Sequence, residues 1–295
     1  MSPARAAPTR HRVSPPQIFD PAARARARDR AAPGFAEHDF LRAYMLEGVA
    51  DRLAGVKRVF RDVLDLGCFD GAFVAPEGAR VARLDAGFGF ARASGGVQGR
   101  EDALPFADGA FDLIVSAGVL DSVNDLPGAL ALARRALRPD GLFLAAFLGA
   151  GSLATLRAAL REAEGDRPAA RLHPQIDVRA GGDLLARAGF ALPVADGETL
   201  TVRYRDLWRL LGDLRGMAAG NVMPGRVPLR RETLARLAAS FQAHADAEGR
   251  VTERFEIVFL TGWSPSPDQP QPARRGSATA SLAAALRPGN KAVNL

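Results

Sequence analysis

Val63-Leu64-Asp65-Leu66-Gly67-Cys68-Phe69-Asp70-Gly71 reads as a short apolar strand that ends in a carboxylate and a glycine-rich turn. Glycines in such a turn remove side-chain bulk, so backbone amides can approach a nucleoside at the start of the next element. Gly67 and Gly71 keep that freedom, while Phe69 takes the place of the middle glycine of a G-x-G-x-G turn. If that position needs positive φ, an L-residue there costs about 1–2 kcal/mol. Pro76 then shortens or interrupts the helix that would follow. The stretch therefore poses one question, whether the turn holds a ligand or only a fold.

Outward from this turn, apolar runs alternate with helical stretches. Residues 81–85 read as a second strand that also ends in an acid, 97–99 as a brief third, 111–116 as a fourth and 142–147 as a fifth. Phe40, Tyr44, Met45, Val49 and Leu53 recur on one helical face, and 126–137 predicts another helix. Arg138-Pro139-Asp140-Gly141 reads as a turn. Repeated strand, connector and strand predict right-handed crossovers and a parallel sheet, hence a doubly wound, Rossmann-like α/β fold. Later residues change style, with helices over 153–162 and 183–188, a strand over 198–204, helices over 206–218 and 231–246, and a strand over 254–261. A strand, a helical insert at about 205–250 and a return strand predict an antiparallel pair at one sheet edge. The expected organisation is a basic arm over 1–34, one domain over 35–263, and a largely disordered tail over 264–295 with a short helix at 281–286.

Sheets of this kind bind ligands beyond the C-terminal strand ends, where the strand order reverses. Asp65, Gly67, Cys68 and Gly71 lie at the first such end. Asp85 ends the second strand and can accept both ribose hydroxyls, although a turn or N-cap aspartate is the plainer reading. Glu101 and Asp102 stand before Ala103-Leu104-Pro105-Phe106, where an acid can accept from an adenine amino group and the apolar residues can wall the base. The alternative there is an ordinary loop entering a buried strand. Ser116 closes the fourth strand. His11, His38 and His244 show no metal-ligand spacing, and His173 beside Pro174 reads as a loop or cap histidine before a polar site residue, so no metal is predicted and no residue presents itself as catalytic. Trp208, Leu210 and Leu211 read as core or lid.

The 295 residues suffice for one sizeable core, and the longest apolar run, 142–148, is far short of a membrane span. The net charge of +6 is local, because residues 1–31 hold seven arginines and two aspartates. That placement predicts a solvated arm able to touch an anionic membrane surface, and no nucleic-acid partner. Two lysines among 39 basic residues point to coding bias rather than recognition. An Arg/Ala-rich start without an apolar signal core fits a bacterial cytoplasmic protein. Cys68 is the single cysteine, which excludes an intramolecular disulfide, and its place in the turn reads as packed rather than nucleophilic.

VLDLG at 63–67, Asp85, EDALPFADGAFDLIVS at 101–116 and LRPDGLFLAAF at 137–147 together resemble the class I S-adenosylmethionine-dependent methyltransferases of small molecules. A closer resemblance adds Ile18-Phe19-Asp20, Val123-Asn124-Asp125-Leu126-Pro127, Gly149-Ala150-Gly151-Ser152-Leu153 and His173-Pro174. Asp183-Leu184-Leu185-Ala186-Arg187-Ala188-Gly189-Phe190 and Ala273-Arg274-Arg275-Gly276-Ser277-Ala278-Thr279-Ala280-Ser281 complete it. On these motifs the chain is similar to the fifth assembly factor of respiratory complex I and its bacterial relatives. The malonyl carrier-protein methyltransferase of biotin synthesis is a more distant cousin. The resemblance implies S-adenosyl-L-methionine as cofactor, held at Asp65, Gly67, Cys68, Gly71, Asp85, Glu101, Asp102 and Ser116. It implies a complex I subunit as partner, and methylation or hydroxylation of a protein arginine. Methyl transfer needs alignment and desolvation rather than a fixed catalytic side chain. Two departures stand at strand ends: the family turn is Gly-Cys-Gly-x-Gly where this chain has Phe69, and a family His-Trp pair is replaced by Asp121 and Ser122. Phe69 and Pro76 favour a non-catalytic assembly protein with a degenerate cofactor site; Asp85 with Asp102 favours the enzyme. A small-molecule methyltransferase is the third reading.

Overall fold

The computed structural model describes residues 17–165 and 169–269, so residues 1–16, the expected tail helix at 281–286 and the motif at 273–281 lie outside the described residues. Seven strands form one sheet in the order β3-β2-β1-β4-β5-β7-β6. These are β1 (Asp62–Leu66), β2 (Arg80–Asp85), β3 (Val97–Gln98), β4 (Phe111–Ala117), β5 (Leu137–Leu148), β6 (Ala191–Tyr204) and β7 (Val251–Trp263). The first five run parallel, and β7 is antiparallel to both of its neighbours. This is the expected doubly wound sheet with its antiparallel edge pair. The order reverses between β1 and β4, so the crevice beyond those strand ends is the ligand-binding position of the architecture.

Continuous apolar runs become the strands covered on both faces. Val63, Leu64, Leu113, Ile114, Leu142 and Phe143 are wholly buried. Helix α2 (Phe40–Ala54) turns Leu41, Met45 and Val49 into that core, and α3 (Phe88–Ala93) contributes Phe90. Helix α4 (Leu126–Ala136) begins at Asp125, whose carboxylate accepts the Gly128 amide, with Pro127 in its first turn. Helices α5 (Ala154–Glu164) and α6 (Val178–Arg187) follow β5, while α7 (Leu207–Gly216) and α8 (Arg231–Gln242) form the insert between β6 and β7. Among the described residues no helix is long and apolar enough to cross a membrane.

Three expectations are corrected. The described part of the basic arm is a packed helix, α1 (Pro21–Ala31), followed by a 3-10 turn over Ala32–Glu37, and Arg24 and Arg28 are buried. Asp20 caps α1 by accepting the Ala22 and Ala23 amides, and the two arginines, one turn apart, share the face that meets the domain. Between β1 and β2 no helix forms at all, in keeping with a proline in its middle. Arg138 to Gly141 is not a turn between elements but a bulge inside β5. The register passes from Phe111↔Leu137 to Leu113↔Leu142, Asp140 has φ +60, and Arg138 bonds Asp62 and Asp112. Strands β6 and β7 also extend past their sequence patterns, because each supplies the other's ladder.

Candidate functional site

The strand ends and the loops after them bring Asp65, Asp85, Glu101 and Ser116 into the crevice region, all essentially inaccessible to solvent. The turn is pinned to β2 by the Gly67 and Cys68 amides, which donate to the Leu84 carbonyl. Gly67 has φ +81, and a Cβ there would lie 2.4 Å from Val119, so glycine is required both by torsion and by space. Phe69 does adopt positive φ, +47, an arrangement the surroundings must enforce. Its ring points inward. It stacks on Phe35 at 4.8 Å between centroids, meets Phe90 edge-on at 5.2 Å, and lies against Gly118 just beyond β4.

Arginines fill the rest of this cradle. The Arg28 guanidinium lies 3.9 Å over the Phe69 ring and grips Asp85 at two points, Nε to Oδ1 at 2.7 Å and an amino nitrogen to Oδ2 at 2.5 Å. The Asp85 carboxylate also accepts the Gly87 and Phe69 amides, at 2.8 and 3.0 Å. Arg24 holds Glu101 in the same bidentate way, at 2.7 and 2.9 Å, and donates further to Ser122 Oγ and the Val119 carbonyl. Arg42 reaches Asp65 at 3.5 Å and Asp70 at 3.2 Å. Burial works against the Asp85 charge, but Arg28 and the two amides outweigh it and hold the pKa below the ordinary carboxylate value. Asp65 has poorer partners and one oxygen with none, so burial prevails over Arg42 and pushes it up to about 6.

An adenosyl cofactor would need free Asp85 oxygens for its ribose and an open hollow before the turn. Each Asp85 oxygen already carries two donors. The space left among Phe69, Arg24, Arg28, Arg42, Asp121 and His173 is about 40 Å³, enough for a few waters and not for a nucleoside. In this arrangement the residues present do not fit the group. Asp102, expected on the base side, bonds Arg100 at 3.0 Å and lines a separate cavity of about 350 Å³ with Ala86, Gln98 and Val123, one that neither Asp85 nor the 67–71 turn borders. Cys68 is buried with Sγ 3.1 Å from Ser94 Oγ, and burial pushes its thiol up to about 12, which matches a packed residue rather than a nucleophile. Ser116 Oγ is buried without a hydrogen-bond partner among the described residues.

A second cavity, of about 380 Å³, adjoins the filled one and shares Asp121 and His173 with it. Its walls include Leu153, Leu156, Leu160, Leu211, Leu214 and Leu237, from α5, α7, α8 and their approaches. Asp121 lies on a 3-10 turn after β4. Burial outweighs the field of Arg24 and pushes its carboxyl up to about 6. His173 Nε2 accepts the Val222 amide at 3.0 Å, which places the proton of the neutral ring on Nδ1. Burial and then Arg24 push its pKa down to about 4, so the ring is neutral at pH 7. Arg171, bound to Glu164, and Arg215 and Arg226 stand on the border of this cavity. Leu210 is core, Leu211 lines the cavity, and Trp208 is exposed.

Sequence reasoning missed Arg24, Arg28 and Arg42 as members of the site. The Asp20-Pro21 helix start was visible, but Arg24/Arg28 and Arg26/Arg30 share the same four-residue spacing, so no local signal singled out the buried pair.

Residues 35–193 match the family described as a methyltransferase domain. Arginine-hydroxylase NDUFAF5, mitochondrial, from Homo sapiens is 33% identical over 285 residues, covering 90% of this chain and 82% of the relative. The Danio rerio protein of that name is 32% identical over 286 residues, covering 90% and 88%. Malonyl-[acyl-carrier protein] O-methyltransferase from Halorhodospira halophila is 37% identical over 164 residues, 55% of each chain. Among solved structures, the YcgJ protein of Bacillus subtilis superposes with a TM-score of 0.51 at 15% identity, over 75% of this chain and 98% of its own, which speaks to the fold alone. A domain match across more than half of the sequence, together with relatives aligned along nine-tenths of it, shows that this chain belongs to the methyltransferase-fold enzyme family and, within it, groups with arginine-hydroxylase NDUFAF5.

Proposed function

We propose that the chain acts in assembly of respiratory complex I by taking an arginine side chain of a complex I subunit into the leucine-lined cavity that Asp121 borders. The observation that carries this reading is the Asp121 carboxylate, ionised at pH 7 yet given no cationic hydrogen-bond partner among the described residues, in the wall of that aliphatic cavity. An arginine matches both parts, since its stem is apolar and its planar head is always charged and rich in donors. The leucines exclude water, which strengthens the pairing. Asp121 accepts from the guanidinium, and His173 in the same cavity wall is neutral at pH 7 and so adds no repelling charge. Arg215 and Arg226 on the border favour acidic residues flanking the bound arginine. The name of the mitochondrial relatives supports the same substrate class. A cytoplasmic site, peripheral at the inner membrane where a bacterial complex I is built, belongs to this reading.

S-adenosyl-L-methionine held at Asp65, Gly67, Cys68, Gly71, Asp85, Glu101, Asp102 and Ser116 is the cofactor reading the family suggests. The Arg28–Asp85 and Arg24–Glu101 pairs speak for the degenerate alternative, an assembly protein that engages arginine without that cofactor. A labelled peptide with one arginine between glutamates, titrated by fluorescence anisotropy, tests the core of the proposal. Asp121→Asn should weaken binding by about tenfold or more, and citrulline in place of the arginine should do the same. Equal affinity in either case sinks the reading. Deleting the gene separates the two alternatives. Loss of one oxygen or one methylene from a subunit arginine identifies an enzyme, whereas loss of assembled complex without a mass change identifies a chaperone.

A further inference from the structure

We infer that the cradle is a receptor for the chain's own arginines: α1 is its resident ligand, and the chain does not take up S-adenosylmethionine. This goes beyond the preceding reading, which concerns the neighbouring cavity. Three acids of the cradle each own a guanidinium, Asp85 that of Arg28, Glu101 that of Arg24 and Asp65 that of Arg42. Two of the pairs are bidentate and buried on both sides, the geometry in which arginine and carboxylate satisfy one another most fully. Arg24 and Arg28 sit on successive turns of one helix face, so a single rigid element serves both sockets.

Phe69 completes the exchange of ligands. A glycine there would leave the Arg28 guanidinium beside an empty hollow. The benzyl ring fills that space and offers its face to Arg28 at 3.9 Å and to Arg42 at 4.9 Å. The departure from the glycine turn and the inward arginines are therefore complementary: aromatic bulk occupies the hollow, and guanidinium donors occupy the carboxylates that would otherwise grip hydroxyls.

The helix is fastened as well as inserted. Asn124 clasps the Phe19 backbone in both directions at 2.8 Å, the Asp20 amide donates to the Val222 carbonyl at 2.8 Å, and Asp29 accepts the Gly89 amide at 2.9 Å. At Gly87 a Cβ would come within 2.7 Å of Arg28 Cβ, so the loop after β2 is shaped for this helix. Phe19 in turn rests edge-on against His173, which ties the lock to the wall of the second cavity. The acids at the strand ends thus anchor the N-terminal segment and, through it, one side of the arginine chamber.

Calorimetric titration of the full chain with S-adenosylmethionine and with S-adenosylhomocysteine tests the first half. Amide exchange of residues 21–31, followed by mass spectrometry in the intact protein and in Arg28→Ala and Asp85→Asn, tests the second. No binding heat is expected up to about 1 mM ligand, with slow exchange of α1 in the intact chain. Exchange of α1 should be at least about tenfold faster in the variants while β4 and β5 stay protected. Saturable binding to the intact chain with Kd below about 100 µM, or α1 exchange unchanged in the variants, overturns the inference. Should Asp85→Asn fail to fold, Arg28→Ala carries the exchange arm, since it leaves Asp85 its two amide donors, and the titration needs no variant. Failure of the arginyl peptide to bind would sink the earlier proposal and leave both of these readouts standing.

Discussion

Asp85 closes β2 and Asp121 follows β4, both at the same edge of the parallel part of the sheet, yet their surroundings differ in kind. Asp85 receives four hydrogen bonds, two of them from a guanidinium, and its pKa lies below the ordinary value. At Asp121 burial prevails over the more distant fields of Arg24 and Arg28 and the residue's own amide, and pushes the carboxyl up to about 6. An acid whose partners come from its own chain is spent on structure. An acid left short of partners inside a cavity keeps its demand for a cation, and that demand is what a ligand can answer.

The contrast is broken most directly at Asp85. Asp85→Asn leaves Arg28 buried without its counter-charge and should destabilise the protein by about 3–5 kcal/mol, read from urea unfolding. A loss below about 1 kcal/mol would mean the pair is not structural, since buried pairs rarely yield so little when broken. Phe69→Ala comes next, at about 3–5 kcal/mol for a buried ring, with no compensating relief of the backbone because alanine bears positive φ no better. Asp121→Asn should move the other way. It removes a desolvated charge, so stability should hold or rise while arginyl-peptide affinity falls.

Titration sharpens the same contrast. Asp65 and Asp121 fold with pKa values of about 6 against 3.8 for an unpaired aspartate, so the folded chain holds their protons longer than the unfolded one. Their contribution to stability is therefore full below pH 3.8, declines as pH rises to 6, and is flat above that. Asp85, with a lowered pKa, contributes in the opposite sense: its stabilisation is present above 3.8 and is lost as pH falls through its folded value. Asp121→Asn should flatten the decline between pH 4 and 6 in urea midpoints. Arginyl-peptide binding, which needs the ionised carboxylate, should strengthen over that same interval. The smallest effect is expected at Cys68, where Cys68→Ala should change stability by about 1 kcal/mol and the native thiol should resist iodoacetamide.

Much of the architecture was legible along the chain because its causes are local. The runs at 111–115 and 142–147 are mostly or wholly apolar, as strands covered on both faces must be, and the connectors between strands dictate a parallel order. The bulge at 138–141 was misread as a turn because proline, aspartate and glycine serve both, and only pairing with β4 and β7 tells them apart. The acids at 65, 85 and 101 were likewise visible, as groups that had to grip something. What they grip was not. Arg24, Arg26, Arg28 and Arg30 are equivalent members of an Ala/Arg helix, and no neighbour in sequence marks two of them for burial. The choice is made 57 and 77 residues away, where Asp85 receives Arg28 and Glu101 receives Arg24. Periodicity and turn chemistry act over a few residues and so leave their record in the order of amino acids. Charge pairing between a helix and distant strand ends depends on which surfaces meet after the chain has folded, and it was that meeting which turned a nucleoside cradle into a seat for arginine.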